Sequence, residues 1–262
     1  MNEIAKIRDL SKYYGTGGSV KAVDHLNLDV HEGETFGLLG PNGAGKTTTI
    51  RLLNCIIRPT EGTATVAGHD ILSEPDEVKR VTGLLAESPG LYEKLSAYEF
   101  LEFMAALYDV PRDIVSERIK QLLKLFDLAE RKDHLLEGYS RGMKQKVLLA
   151  AAMIHDPPIL FLDEPTSTLD PRSASMVKEL IRELSDRAGK TIFISSHILP
   201  IVEELCDRIG IINQGKLIAL GTVESIMEQA GVGTLEEAFI NLTGGIENHE
   251  LLAWRNHANA SA

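Results

Sequence analysis

The sequence predicts an α/β protein with a mainly parallel sheet, an antiparallel β part near the N-terminus and a helical insertion. Three patterns in the chain predict this fold class. Short apolar runs alternate with segments of helical spacing, as in strands joined by crossover helices. An early segment alternates between apolar and polar residues, which is typical of a half-buried antiparallel strand. A long middle stretch repeats its apolar residues every three or four positions, so we expect consecutive helices there.

The strands expected in the parallel sheet are apolar runs bounded by Gly, Pro or polar residues, namely Thr35 to Leu39, Val81 to Leu85, Ile159 to Asp163 and Thr191 to Ser195. Before the first run, Leu26, Leu28 and Val30 alternate with polar residues. The turn from His31 to Glu34 then leads into Thr35, so we expect an antiparallel hairpin here. The early part of the chain is therefore predicted to be mixed β.

Helical spacing extends from Tyr98 to Ala152, which predicts a helical subdomain of about residues 88–153. We expect it to be inserted in an α/β domain of residues 1–222. The remaining residues, 223–262, are predicted to form a C-terminal extension. Its helices are expected at Glu224 to Gln229 and Leu235 to Leu242, before a polar tail that begins at Ile246 and contains Trp254.

Composition excludes several classes of protein. With 262 residues, 44% of them hydrophobic, the chain can bury a core. Its formal charge of -11 argues against nucleic-acid binding, which needs clustered Lys and Arg. No apolar run approaches the ~20 residues of a membrane span, and the N-terminus lacks a signal-peptide pattern. Cys55 and Cys206 lack metal-ligand spacing and are interpreted as core thiols. We therefore expect a cytoplasmic location.

The most specific motif is a phosphate loop with the pattern Gly-x-x-x-x-Gly-Lys-Ser/Thr, placed between a strand and a helical run. It reads Gly40-Pro41-Asn42-Gly43-Ala44-Gly45-Lys46-Thr47-Thr48. The glycines let backbone N–H groups surround phosphates, and the helix N-terminus adds positive potential. Lys46 is expected to reach the terminal phosphates and stabilise charge there, while the Thr47 hydroxyl binds Mg²⁺. This loop predicts a nucleotide ligand, but many functional classes share it.

A second motif supplies carboxylates. The apolar strand that starts at Ile159 ends in Asp163 and Glu164, which places both acids at the carboxyl edge of the sheet. Asp163 can bind Mg²⁺, and Glu164 can polarise the attacking water as a catalytic base. An acidic turn that merely ends a strand is the alternative, but the phosphate loop upstream favours catalysis.

Further motifs resemble those of one family. The segment Tyr139-Ser140-Arg141-Gly142-Met143 resembles the ABC signature, usually Leu-Ser-Gly-Gly-Gln. It is followed in the expected order by Asp163 to Asp170 and by Ser195-Ser196-His197. Over roughly Ile4 to Thr222 the chain is thus similar to an ABC ATPase subunit. The resemblance implies the ABC ATPase fold: a phosphate-loop core with a mixed sheet, an antiparallel β subdomain and an inserted helical subdomain that carries the signature.

The resemblance also implies roles for single residues. Tyr14 matches the aromatic residue that stacks on the adenine of ATP, with Tyr13 as the alternative. His197 matches the switch histidine at the γ-phosphate. Ser140 and Gly142 match signature residues that meet the γ-phosphate held by a second subunit, although Ser140 can equally be a plain helix N-cap.

Asp170 matches a loop that crosses the interface between two such subunits. The resemblance therefore implies a pair of ABC ATPase subunits, formed by two copies or by this chain and a paralogue, enclosing two ATP molecules. Such a pair drives a separate transmembrane permease. The chain is then expected at the cytoplasmic face of the membrane, held peripherally through the permease, whose contact should lie near residues 87–98.

Three departures from the family pattern bear on the site. Glu87 stands where the family usually has Gln, and we expect it to bind Mg²⁺ beside the nucleotide; a solvated loop acid is the alternative. The signature has Tyr139, Arg141 and Met143 in place of Leu, Gly and Gln. Thr168 replaces a small residue in the loop before Asp170, where we expect altered packing.

The signature variant, with Glu87 and the segment Pro89-Gly90-Leu91-Tyr92, resembles the branch that exports drugs, lipids, polysaccharides or sodium. Export is therefore expected. Two other functions share the motifs: a soluble ABC ATPase in assembly or repair, and an ATP-gated module without turnover. The lack of a coiled-coil insertion or tandem cassette argues against the first, and the presence of Glu164 and His197 against the second.

Overall fold

The computed structural model describes residues 2–87, 90–167 and 169–244. The strands are β1 (Glu3–Tyr14), β2 (Val20–His31), β3 (Thr35–Leu39), β4 (Glu61–Val66), β5 (His69–Asp70), β6 (Thr82–Leu85), β7 (Ile159–Asp163), β8 (Thr191–Ser196), β9 (Arg208–Asn213) and β10 (Lys216–Gly221). The helices are α1 (Lys46–Leu53), α2 (Pro75–Val81), α3 (Ala97–Leu107), α4 (Arg112–Leu125), α5 (Arg141–Met153), α6 (Pro171–Asp186), α7 (Leu199–Leu205), α8 (Val223–Ala230) and α9 (Leu235–Thr243).

The central sheet has six strands in the order β10-β9-β3-β8-β7-β6. Five of them run parallel, and β10 is antiparallel to β9 at one edge. Every residue of β3, β7 and β8 is buried, which explains why these strands are continuous apolar runs rather than alternating ones. The predicted α/β class with a mainly parallel sheet is confirmed.

The second sheet is antiparallel, in the order β2-β1-β4-β5. The predicted hairpin between β2 and β3 is wrong. β2 pairs with β1, with Leu28 opposite Ile7, whereas β3 pairs with β8 and β9 in the other sheet. β3 lies inside the central sheet and pairs with β8 along one edge and with β9 along the other. A hairpin with β2 would supply only one of these two partners. The turn at His31 to Glu34 therefore carries the chain from one sheet to the other.

The helical stretch forms α3, α4 and α5, which pack around a shared cluster that includes Phe100, Leu101, Ile119 and Leu123. The cluster continues onto the central sheet through Leu160 of β7. α5, which begins after Ser140, therefore packs in the same cluster as β7, the strand that ends in Asp163.

Near the edge of the sheet formed by β10, α8 and α9 pack against β9. They contribute Ile226, Leu235 and Ala238 to a common cluster. Both helices expected after residue 222 are therefore present. The tail from Ile246, with Trp254, lies outside the described residues. Across residues 2–87, 90–167 and 169–244, no helix combines the length and apolar character needed to cross a bilayer.

The two cysteines are free and pack against core clusters, as expected of core thiols. Burial raises the pKa of the Cys206 thiol to about 12. At neutral pH this thiol is protonated and unreactive.

Candidate functional site

The phosphate loop joins β3 to α1, and close packing fixes two of its glycines. A Cβ at Gly40 would lie 2.3 Å from the carbonyl oxygen of Ile212, and one at Gly45 would lie 2.3 Å from that of Ala22. Gly45 also has φ 114°, in the left-handed region. Only glycine fits these two positions, so the loop can approach both neighbouring strands.

The turn between β9 and β10 supports the loop from outside. Gly215 in this turn donates its N–H to the carbonyl of Ala44 at 2.9 Å and accepts from the N–H of Asp24 at 2.9 Å. Nothing in the sequence near residue 215 indicated this contact. It was missed because it joins segments about 170 residues apart.

Lys46 is buried, with 6% of the residue exposed. Its Nζ donates to the carbonyl oxygens of Gly40 at 2.8 Å and Pro41 at 3.2 Å, and lies 3.6 Å from Oε1 of Glu164. The ammonium is thus placed inside the loop and beside the carboxylate. A buried cation needs such partners because desolvation is costly.

Asp163 ends β7 beneath the loop. Its Oδ1 accepts from Oγ1 of Thr47 at 3.2 Å and from Oγ of Ser195. Ser195 lies directly opposite Asp163 in the parallel pairing of β7 with β8. The sequence did not single out Ser195 as a site residue, although the register of two predicted parallel strands could have found it.

Glu164 follows Asp163 with φ 52°, a left-handed conformation that is uncommon outside glycine and often marks functional positions. Its N–H donates to Oγ of Ser195 at 3.2 Å. Its Oε1 lies 2.8 Å from Nδ1 of His197, which follows β8. The Glu164 side chain is 7% exposed, so the carboxylate is held between His197 and Lys46 with limited access to water.

Of these groups, Lys46, Thr47 and Glu164 line one cavity of about 230 Å³, whereas Asp163 and His197 are not among its lining residues. It is lined by Ala22, Asn42, Gly43, Ala44, Gly45, Lys46, Thr47, Thr48, Glu87 and Glu164. The structure thus brings most of the predicted phosphate-loop residues together with Glu87 and Glu164. Glu87 is exposed on the cavity wall.

Tyr14 is not part of the cavity lining. It ends β1 opposite Val20, two residues before the cavity residue Ala22, and is 41% exposed. The Nζ of Lys12 lies 5.2 Å from the centroid of its ring. Tyr13, by contrast, is half-buried and donates its hydroxyl to Asp24. Of the two tyrosines, Tyr14 has the more accessible ring. Stacking of Tyr14 on adenine stays a prediction.

The signature segment begins α5. Ser140 is the N-cap, and its Oγ accepts from the N–H of Met143 at 3.3 Å. Tyr139 is buried and donates its hydroxyl to the carbonyl of Arg131 at 2.6 Å. This hydrogen bond accounts for a tyrosine where leucine is usual. Gly142 lies close to α6, because a Cβ there would be 3.1 Å from Oγ of Ser173.

Asp170 is the N-cap of α6. Its Oδ1 accepts from the N–H groups of Arg172 and Ser173, and its Oδ2 accepts from Oγ of Ser173 at 2.7 Å. The hydrogen bonds from Ser173 lower the pKa of the Asp170 carboxyl below its ordinary value. The expectation about Thr168 falls outside the described residues.

The structure does not place Ser140, Gly142 or Asp170 in the cavity that holds Lys46 and Glu164. Ser140 and Asp170 are exposed, and Gly142 is half-buried. The site residues therefore form two separate groups on one chain, the phosphate cavity and the start of α5 and α6.

Comparisons with known proteins bear on both groups. The family model described as ABC transporter matches residues 23–167. The ABC transporter ATP-binding protein NatA of Bacillus subtilis is 40% identical over 223 residues, 85% of this chain and 90% of that protein. The daunorubicin/doxorubicin resistance ATP-binding protein DrrA of Streptomyces peucetius is 39% identical over 241 residues, 92% of this chain and 72% of that protein. An uncharacterised ABC transporter ATP-binding protein of Nostoc sp. is 44% identical over 225 residues, which are 84% of this chain and 66% of that protein.

Solved structures agree. The structure of an ATP binding subunit of an ABC transporter has a TM-score of 0.84 and 32% identity, and the match covers 92% of this chain and 99% of that one. A dimeric ATP-binding cassette in a post-hydrolysis state, bound to ADP and Pi, has a TM-score of 0.76 and 26% identity, with 83% and 98% covered. These matches confirm the predicted ABC ATPase fold.

Proposed function

This chain belongs to the ABC transporter family as an ATP-binding subunit, and on that premise we propose that it hydrolyses ATP within a pair of such subunits to drive export through a separate permease. The observation that carries the proposal is the position of Glu164. Its carboxylate lies 2.8 Å from His197 and 3.6 Å from Lys46, at the wall of the phosphate-loop cavity. A base, an orienting histidine and a phosphate-binding cation thus meet at one point.

In the proposed reaction, Glu164 accepts a proton from a water molecule as the water oxygen attacks the γ-phosphorus of ATP. The bond from the γ-phosphorus to the bridging oxygen breaks, and ADP leaves with that oxygen. His197 orients the carboxylate through its hydrogen bond to Oε1. Lys46 stabilises the negative charge on the transferring phosphoryl group.

Lys46 must change partners for this role. Its ammonium donates to the carbonyls of Gly40 and Pro41. We propose that phosphate oxygens replace these carbonyls when ATP binds, because the ammonium is attracted more strongly to an anionic oxygen than to a neutral carbonyl oxygen. Backbone N–H groups of the loop and of the first turn of α1 would hold the remaining phosphate oxygens.

The residues present fit Mg²⁺, which prefers oxygen ligands and commonly binds through one or two carboxylates plus substrate phosphates. Oγ1 of Thr47 and Oδ1 of Asp163 lie 3.2 Å apart, and Glu87 lines the same cavity. Within the described parts of the chain, no three Asp, Glu, His or Cys side chains form a metal site alone. We therefore propose Thr47, Asp163 and Glu87 as ligands that share the ion with ATP. When bound, Mg²⁺ neutralises charge on the phosphates.

Ser140, Gly142 and Asp170 are proposed to act on ATP bound by a second subunit. The support is their placement outside their own chain's phosphate cavity, together with the helix N-terminus of α5, which favours a negatively charged group. A structurally similar cassette is dimeric. The second subunit would be another copy of this chain or a paralogue.

Export is proposed because the relatives include a drug-resistance ATP-binding protein and a bacitracin transport ATP-binding protein. The permease is proposed to contact an aromatic surface formed by Tyr92 and Phe103, whose rings pack edge to face at 5.3 Å. Tyr92 is 60% exposed although it is large and partly apolar. This contact would hold the chain at the cytoplasmic face of the membrane.

The domain division is also a proposal: an ATPase domain of residues 1–222, a helical subdomain of about 88–153 and an extension of 223–262. It is supported by the separate packing of α3 to α5 on one side of the sheet and of α8 and α9 on the other. The first group would carry the signature to a partner subunit.

The test is to express the chain with and without a candidate permease, then measure its recovery in membranes and its ATPase rate in lipid. We expect membrane recovery only with the permease, and a higher ATPase rate in the complex. A Tyr92→Ser, Phe103→Ser variant should keep its basal ATPase rate but lose membrane recovery. ATP hydrolysis that never depends on any permease would contradict the transport role.

A further inference from the structure

Asp24 is a buried acid that the proposed reaction does not use. We propose that it is a positioning residue that fixes Tyr13 and Tyr14, at the end of β1, relative to the phosphate loop. It would thereby set the part of the ATP affinity that comes from the adenine. Because it requires ATP in the phosphate-loop cavity, this role rests on the proposed function. Asp24 itself does not line that cavity.

The Asp24 carboxylate joins three elements. Its side chain is 4% exposed, yet three polar groups lie within 3.6 Å of its oxygens, and Nε2 of His25 lies 3.9 Å from Oδ1. Its Oδ1 accepts from the hydroxyl of Tyr13 on β1 at 3.1 Å and from Nζ of Lys21 on β2 at 3.2 Å. Its Oδ2 lies 3.6 Å from Nζ of Lys216, at the start of β10. Burial opposes ionisation, but the hydrogen bonds from Lys21 and Tyr13 outweigh it, and the pKa of Asp24 lies below its ordinary value.

Near the proposed position of the adenine, the Asp24 carboxylate holds Tyr13 in place. Tyr13 is held at its hydroxyl by Asp24, and the Nζ of Lys21 lies 5.4 Å from the centroid of its ring. Tyr13 pairs with Lys21 and Tyr14 pairs with Val20 at the end of the same ladder. Because successive side chains on a strand point to opposite faces, fixing Tyr13 also fixes the direction of the exposed Tyr14 ring.

On the phosphate side, the links are made by backbone atoms instead. The N–H of Asp24 donates to the carbonyl of Gly215, and the N–H of Gly215 donates to that of Ala44 in the loop. Gly45 packs against the carbonyl of Ala22. None of these contacts needs the carboxylate. Replacing it should therefore release Tyr13 while the phosphate loop stays braced.

The experiment measures the Kd of ATP and of inorganic tripolyphosphate, with kcat, for wild type and Asp24→Asn. We expect the Kd of ATP to rise about tenfold, because only binding of the adenine is weakened. The value of kcat at saturating ATP should stay within about twofold. Tripolyphosphate should bind equally well or better, because Lys21 and Lys216 lose the anion that neutralises them. A general loss of structure would weaken both ligands and lower kcat.

Asp29→Asn is the matched control, because Asp29 lies on the same strand and pairs with Arg8 away from the cavity. It should change neither Kd. Tyr13→Phe keeps every charge and removes only the hydroxyl, so it should reproduce part of the loss of ATP affinity even if Asp24→Asn does not fold. Unchanged ATP affinity in Tyr13→Phe, or an equal loss for both ligands in Asp24→Asn, would overturn the role. Wild-type protein that binds no ATP would instead refute the proposed function and this role with it.

Discussion

The phosphate cavity and the start of α5 both contain a helix N-terminus, but they satisfy their polar groups differently. In the cavity, Lys46, Asp163 and Glu164 are buried and hydrogen bonded across the loop and two strands. At the start of α5, Ser140 is exposed, and within the described residues its Oγ accepts from an N–H of its own helix. The first region therefore satisfies its polar groups through contacts between distant segments, whereas the second satisfies them locally and leaves Ser140 exposed.

The caps of the helices show the same difference. α1 begins after Gly45, which has no side chain to cap it, so the first N–H groups of α1 stay free for a ligand. α5 and α6 begin after Ser140 and Asp170, whose side chains satisfy N–H groups of their own helices. This difference agrees with the proposed roles, in which α1 binds phosphate within its own chain and α5 and α6 face a second subunit.

The largest expected effect tests whether Glu164 is the catalytic base of the phosphate cavity. Glu164→Gln keeps the shape of the side chain but removes the base, so turnover should fall about 10²–10⁴-fold. ATP binding should persist, since Lys46 and the loop are untouched, and ATP should trap a dimer. The measurements are steady-state ATPase, nucleotide binding and size-exclusion chromatography with ATP.

Glu204→Gln is the control, since Glu204 is ion-paired with Lys178 and Arg182 away from the cavity and should be silent. If Glu164→Gln turned over ATP at the wild-type rate, Glu164 would not be the base.

A smaller effect tests whether the start of α5 acts on another chain. Ser140→Ala and Lys46→Ala proteins should each be inactive alone. In a mixed dimer one composite site carries both changes and the other carries none. Equal mixing should therefore restore about a quarter of the wild-type ATPase rate, since half of the dimers are mixed and each has one intact site.

The control for mixing is a single chain with both substitutions, combined with wild type in the same ratio. If Ser140 acts on the other chain, each site of such a mixed pair carries one defect, so only the wild-type dimers, about a quarter of all pairs, should be active. If such pairs are active but the two single variants never complement each other, Ser140 would act within its own chain.

The smallest expected effect concerns Glu87 on the exposed wall of the cavity. A carboxylate there attracts Mg²⁺ and repels the nucleotide, and these Coulomb terms are of similar size and opposite sign. Glu87→Gln should therefore leave the ATPase rate at saturating Mg²⁺ within about tenfold. It should raise the Mg²⁺ concentration needed for half-maximal rate.

The measurement is the ATPase rate against free Mg²⁺, with and without the permease. Glu61→Gln is the control, because Glu61 is an exposed acid on β4 that does not line the cavity. Glu87→Ala should also reduce stimulation by the permease. Superimposable Mg²⁺ curves and full stimulation would mean that Glu87 is a solvated loop acid.

Much of the fold and the site follows from local sequence patterns. The buried parallel strands, the phosphate loop with its following helix, and the pair Asp163 and Glu164 at a strand end were all predicted in place, because each depends on a short stretch of residue types. The helix that begins after Ser140 was likewise evident from its cap and spacing. Alternation in β2 correctly indicated a half-buried strand but not its partner.

Only the tertiary structure decided which distant segments meet. It paired β2 with β1 instead of β3, placed Ser195 against Asp163, and set Gly215 against the phosphate loop. It also gathered Tyr13 and Lys216 around Asp24. These contacts join positions far apart in the chain, and they depend on strand order and close backbone packing rather than on any local pattern. A motif can therefore identify the groups that touch phosphate, while the groups that hold them in place are selected by the fold.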